Sequence, residues 1–197
     1  MGNLKGTKTA ENLMKAFAGE SQARARYMMY ASVADKEGYK QIKNIFTETA
    51  DNEYEHAKRF YNLLLAGFEN ELPQGIEITA EFPVQKSDTM TNLIAAADGE
   101  NEEWADLYPQ FAEVAKEEGF NDVYSAFMNI AKAETNHEKR FRKLAENIKT
   151  DKVFKKDAKV SWKCGNCGYV HEADNAPEAC PACIHPKAYF ELYVETF

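Results

Sequence analysis

The chain has 197 residues, 44% of them hydrophobic, enough for one full core and a small appended module. Its formal net charge of −8 argues against a nucleic-acid partner held through phosphate contacts. No run of 18 apolar residues occurs and the start lacks an apolar signal-peptide core, so no membrane span and a cytoplasmic location are expected.

Four long helices are predicted. The first runs from about Thr9 to Lys36 and is stopped by Gly38. The second runs from Tyr39 to Phe68. The stretch "ENELPQGIEITAEFPVQKSD" follows, with two prolines and no helical period. The third helix spans Asp88 to Glu118 and ends at Gly119; the fourth spans Asn121 to Ile148, with Asn121 as its N-cap. One long crossover between two helix hairpins fits a ferritin-like four-helix bundle over residues 1–149. Residues 150–158 read as a charged linker. Residues 159–197 are rich in Cys, Gly, Pro and aromatics, which suits a small metal-stapled domain.

The two hairpins look like an internal duplication. Glu53-x-x-His56 and Glu134-x-x-His137 are each followed, one residue on, by Lys-Arg-Phe, at an offset of 81. Tyr27 and Tyr108 share that offset, whereas Gly19-Glu20 and Gly99-Glu100 are offset by 80. The third helix therefore carries one extra residue between its Gly-Glu and its Tyr. Such an insertion is commonly absorbed as a π-bulge, and Pro109 should bend the same helix.

The direction of the glutamates decides their chemistry. On the fourth helix Val123, Phe127, Ile130, Phe141, Leu144 and Ile148 leave a gap that Glu134 and His137 fill at helical spacing. Glu53 and His56 lie on the stripe of Ile42, Ile45, Phe60 and Leu64. Leu13, Phe17 and Tyr27 bracket Glu20; Leu93, Leu107, Phe111 and Val114 bracket Glu100 and Glu103. Five inward carboxylates at one level are untenable without positive charge. Two divalent cations supply it, and carboxylates with a few imidazoles suit iron or manganese better than structural zinc. A lone Glu-x-x-His is usually a solvated helix face; two copies on apolar stripes, each paired with a Gly-Glu, are not. Glu103 has Ala23 as its counterpart and makes the pair of sites unequal. Tyr27 and Tyr108 read as core aromatics whose hydroxyls bond the ligand carboxylates.

All four cysteines fall in the tail, as Cys164-x-x-Cys167 and Cys180-x-x-Cys183. Two knuckles make a tetrahedral thiolate site for zinc or a single iron. His171 and His185 are bystanders once four thiolates complete it.

A Glu/Glu-x-x-His bundle followed by Cys-x-x-Cys-Gly-Tyr and Cys-Pro-x-Cys resembles the rubrerythrins, over nearly the whole chain. The resemblance implies a non-haem di-iron site and a rubredoxin-like Fe(Cys)4 centre, where zinc can stand in recombinant protein. It implies Glu20, Glu53, His56, Glu100, Glu103, Glu134 and His137 as di-iron ligands, with Glu103 and His56 exchanging at one iron. Cys164, Cys167, Cys180 and Cys183 hold the lone iron. The implied activity is reduction of hydrogen peroxide to water in an anaerobe under oxidative stress. Electrons come from NAD(P)H through rubredoxin and a reductase. A head-to-tail homodimer is implied, bringing the tail of one chain to the bundle of another. The alternative is a ferroxidase, iron-storage or dioxygen-reducing bundle with a zinc-bound tail.

Overall fold

The computed structural model describes residues 2–68 and 75–196. Among the described residues there are five α-helices: α1 Lys8–Lys36, α2 Lys40–Gly67, α3 Thr89–Glu102, α4 Tyr108–Glu117 and α5 Asn121–Lys149. A π-helical turn, Glu103–Leu107, joins α3 to α4 into one continuous rod, so the bundle has four rods. The crossover has neither helix nor strand from residue 75 to the helix cap at Asp88; the remainder of the expected extended stretch, with Pro73, lies outside the described residues.

Local chemistry accounts for the helix ends. Thr7 and Asp88 cap α1 and α3 by accepting from Ala10 N and Thr91 N. Both hairpins turn in the same way. Gly38 (φ +83°) and Gly119 (φ +86°) take the left-handed conformation, and Tyr39 N and Phe120 N return to Ala34 O and Ala115 O. Asn121 is not the cap expected for α5: it is the first helical residue, and Phe120 stands at the cap without a side-chain bond.

The π-turn corrects the expected stripe on the third rod. Tyr108, Ala112 and Ala115 are buried, and Leu107, Phe111 and Val114 are only half-buried. The inserted residue moves the inward face on by one position, and the wider turn absorbs it. Pro109 falls in the first turn of α4, where its missing N–H is tolerated.

The bundle core is cut in two. One apolar cluster holds Leu13, Phe60, Tyr108 and Phe127; the other holds Tyr27, Phe46, Leu93 and Phe141. Between them each rod sends in its glutamate or Glu-x-x-His pair.

The tail is a three-stranded antiparallel sheet in the order β2-β1-β3. β1 is Lys155–Cys164, β2 Val170–Asn175 and β3 Phe190–Leu192, so the segment expected to be linker is strand from Lys155 onward. Trp162 is fully buried with Phe190, Cys164 and Cys180, and its indole N–H donates to Ala173 O at 3.0 Å. The tail rests on the α1–α2 turn. Phe154 stacks on Tyr39 (6.1 Å, 5° between planes), and Lys40 Nζ lies 5.1 Å from the Tyr189 ring. From Lys40 to Glu53 is thirteen residues of α2, about 20 Å at the rise of an α-helix.

Candidate metal centres

Glu20, Glu53, Glu100 and Glu134 are all at most 1% exposed, an unusual fate for carboxylates. His137 is buried and the His56 side chain is 15% exposed. Spacing of three on a helix puts each Glu and His of the repeated word on one face.

Two groups of donors form. Atoms of Glu20, Glu53, His56 and Glu134 lie within 4.8 Å of one another, as do those of Glu53, Glu100, Glu134 and His137. Glu53 and Glu134 belong to both. His56 Nδ1 is 2.8 Å from Glu134 Oε1, 3.0 Å from Glu53 Oε2 and 3.9 Å from Glu20 Oε1. His137 Nδ1 is 2.7 Å from Glu134 Oε2, 3.2 Å from Glu53 Oε1 and 3.6 Å from Glu100 Oε2. The symmetry of the duplication thus becomes two matched sites joined by the glutamates of the two Glu-x-x-His words.

Two tyrosines tie the outer glutamates in place. Tyr27 donates to Glu100 Oε1 at 2.6 Å, and Tyr108 donates to Glu20 Oε1 at 2.5 Å. Each hairpin therefore holds the other's carboxylate. Burial, then the neighbouring glutamate charges, keep both phenols well above their usual range, so they remain donors.

Glu103 stands apart. It is half-buried on the π-turn, and its Oε1 comes 3.9 Å from where a β-carbon on Gly19 would be. It lies outside both donor groups but close enough for burial and the charges of Glu100, Glu134 and Glu53 to raise its carboxyl well above the usual range; Arg26 opposes this weakly.

The charge balance of this layer calls for cations. Burial and like charges push Glu20 and Glu100 well above the carboxylate range. Burial opposes charging the imidazoles, yet their bonds to glutamates lift His56 to about 10 and His137 to about 12. Burial also works against ionised Glu134, but His137 and His56 outweigh it and hold it at about 2. Protons here do the work of metal charge, and incompletely. Glu20 Oε2 is buried with no partner, and Glu53 Oε1, Glu100 Oε2 and both oxygens of Glu134 meet the imidazoles only as ion-pair contacts without hydrogen-bond alignment. A buried layer of carboxylates so poorly satisfied fits a pair of ions, since unmet polar groups carry a large desolvation penalty.

In the tail all four sulfurs lie within 4.8 Å, with Cys164 and Cys183 Sγ 3.8 Å apart and Cys167 and Cys180 Sγ 3.6 Å apart. The two knuckles match: Gly168 N returns to Cys164 O and Ile184 N to Cys180 O, each at 2.8 Å with a positive φ. The backbone N–H of His185 draws the Cys183 thiol down to about 6, while at Cys167 the backbone N–H of Tyr169 is outweighed by the neighbouring sulfurs, which push that thiol up to about 12, so without a metal the four sulfurs do not ionise together. The His185 side chain contacts Asn166 and Cys183 O, and His171 lies on β2; neither joins the sulfur cluster.

One neighbour escaped the sequence reading. Glu138 follows His137 directly and accepts from Trp104 of the π-turn at 2.7 Å. The signal for it was available: the first repeat has Ala57 at that place.

Comparison with known proteins agrees with this geometry. The rubrerythrin family model matches residues 11–145, and the model of the rubrerythrin rubredoxin-like domain matches residues 162–191. A rubrerythrin of Clostridium perfringens is 60% identical over the full length of both chains. One from Nitratidesulfovibrio vulgaris is 51% identical, covering 98% of this chain and 97% of its own. A solved nigerythrin in a partially reduced state superposes with a TM-score of 0.63 at 31% identity, covering 98% of this chain and 92% of its own. The bundle alone matches a Desulfovibrio desulfuricans bacterioferritin (TM-score 0.64, 24% identity, 74% and 82% coverage), which shows a shared fold. Among the described residues no helix is long and apolar enough to cross a membrane. The chain belongs to the rubrerythrin family, whose di-iron site and rubredoxin-like four-cysteine site it carries.

Proposed function

We propose that the protein is a peroxidase that reduces hydrogen peroxide to water. Glu20 and His56 would hold one iron and Glu100 and His137 the other, with Glu53 and Glu134 available to both. The observation that carries this reading is the pair of buried four-donor groups sharing Glu53 and Glu134. When bound, the iron pair supplies Lewis acidity and the two electrons that break the O–O bond.

The chain's own residues prepare that event. Tyr27 and Tyr108 fix the free edges of Glu100 and Glu20, and the apolar clusters above and below exclude water. Glu103 and His56 would exchange as ligands to the first iron: two-electron reduction of the pair removes two positive charges, and replacing a carboxylate by a neutral imidazole would offset one of them. His56 lies inside the donor group and Glu103 just outside it, so both are in reach of such an exchange.

Cys164, Cys167, Cys180 and Cys183 would hold an iron able to take electrons from rubredoxin and an NAD(P)H-linked reductase. The tail rests on the end of its own bundle, about 20 Å of helix from Glu53. A head-to-tail homodimer, with the tail of one chain set against the bundle of the other, would close that gap.

The test is rapid mixing of the reduced, iron-loaded protein with peroxide or with dioxygen, following the colour of oxidised thiolate iron. Fast return with peroxide and much slower return with dioxygen supports the peroxidase. A dioxygen preference, or no colour at all, would replace it with a ferroxidase or oxidase carrying a structural zinc tail.

A further inference from the structure

The π-turn is a wide, unfavourable backbone conformation, and something must hold it. Trp104, the residue after Glu103, is half-buried against the bundle core, and its Nε1–H donates to Glu138 Oε2 at 2.7 Å. Asn101 Nδ2 reaches the same oxygen at 3.4 Å. Arg142 Nε donates to the other oxygen at 2.6 Å, and Arg142 Nη2 continues to Asp98 Oδ1 at 3.1 Å. The network thus binds α3 just before the π-turn, and the π-turn itself, to α5 at the residue after His137.

The duplication supplies an internal control. The corresponding positions lie 80 residues earlier before the insertion and 81 after it, so Asp98, Asn101, Trp104, Glu138 and Arg142 answer to Ala18, Ser21, Arg24, Ala57 and Tyr61. None of these can rebuild the network. The first repeat has instead an open groove of ≈ 310 Å³ lined by Ser21, Arg24, Ala57 and Tyr61. That repeat is also the one whose helix is α throughout and whose place equivalent to Glu103 is Ala23. Network, π-turn and additional carboxylate occur together in one half and are all missing from the other.

We propose that Trp104 is a positioning residue: its hydrogen bond to Glu138 fixes the register of the π-turn and so sets where Glu103 stands relative to the metal pair. This rests on the reading of Glu103 as a ligand that moves. A π-bulge can migrate along a helix by exchanging backbone bonds, and each step of migration would rotate Glu103 away from the site. The indole bond stops the migration at the residue next to the carboxylate.

The test uses the full chain, metal-free and iron-loaded, with W104F (ring kept, donor lost) and E138Q (acceptor kept). In the metal-free protein, amide hydrogen exchange over residues 101–108 should be about ten-fold faster in W104F and nearly unchanged in E138Q. Unchanged exchange in W104F would overturn the proposal, as would acceleration spread evenly over α1 and α2, which marks a general loss of stability. In the iron-loaded protein, W104F should keep both irons, shift the paramagnetic resonance of the one-electron-reduced pair, and lower peroxide kcat about ten-fold with little change in KM. A resonance and turnover matching the unsubstituted protein would overturn it. Failure of the unsubstituted protein to turn over peroxide would sink the peroxidase reading, and the exchange and resonance outcomes would still decide the role of Trp104.

Discussion

Tyr27 on α1 donates its hydroxyl to Glu100 on α3 at 2.6 Å, and the repeat of this relationship runs back from Tyr108 to Glu20. Phenylalanine at either place keeps the ring packing and leaves a buried carboxylate oxygen without its donor. Tyr27→Phe and Tyr108→Phe should each destabilise the metal-free protein by about 1–3 kcal/mol, checked by denaturant unfolding. The two effects should be alike, because the environments are related by the duplication.

Stability of the metal-free protein should fall as pH rises from about 5 to 9, by the following signs. His56 and His137 have folded values of about 10 and 12, above that of a free imidazole, so their contribution is complete below the unfolded value and fades as pH climbs to the folded ones. Glu20, Glu100 and Glu103 are also raised, and the unfolded chain loses their protons first. Glu134, held at about 2, acts oppositely and only in acid. Metal binding should reverse the trend above neutrality, since ions require the deprotonated ligands. Melting temperatures with chelator and with metal, over the same pH series, check both signs.

Shared and unshared glutamates should differ in iron content. Glu53→Ala removes a donor from both groups and should lose both ions, whereas Glu103→Ala should keep two ions and slow turnover about ten-fold or more. Iron analysis beside peroxide assays separates the two. A Glu53→Ala protein retaining two bundle irons would count against the bridging role.

Ile184 follows Cys183 at φ 61°, a conformation costly for a β-branched residue, and its side chain is 76% exposed. Ile184→Gly should stabilise the tail by about 1 kcal/mol, because relief of strain there is opposed only by chain entropy. Thermal unfolding of the iron-bound protein, followed through the buried Trp162, reads this out.

The duplication made most of the site legible. Glu53, His56, Glu134 and His137 fill gaps in apolar stripes, and such polar residues have few reasons to be there. The extra residue between Gly99 and Tyr108 announced the π-turn. What periodicity could not show was its effect on the following face, where Ala112 and Ala115 took the inward places of Phe111 and Val114. A helical stripe read at constant pitch misses a change of pitch within it. Which glutamates are common to both groups was equally hidden. That depends on the helices' relative depth, which no single helix encodes. The role of Glu138 was hidden too, because its partner Trp104 is 34 residues distant and on another rod.

If electrons enter through the tail as proposed, its seat on the α1–α2 turn would set an unusual kinetic order. A lone chain would keep its electron inlet and its metal pair at separate places along the same rod, a circuit with a gap. Were the gap closed only by an encounter between chains, turnover per chain should rise with protein concentration and level off once pairing is complete. Dilution would then silence turnover without unfolding the chain, and catalytically dead chains with intact tails would rescue chains whose tails carry zinc.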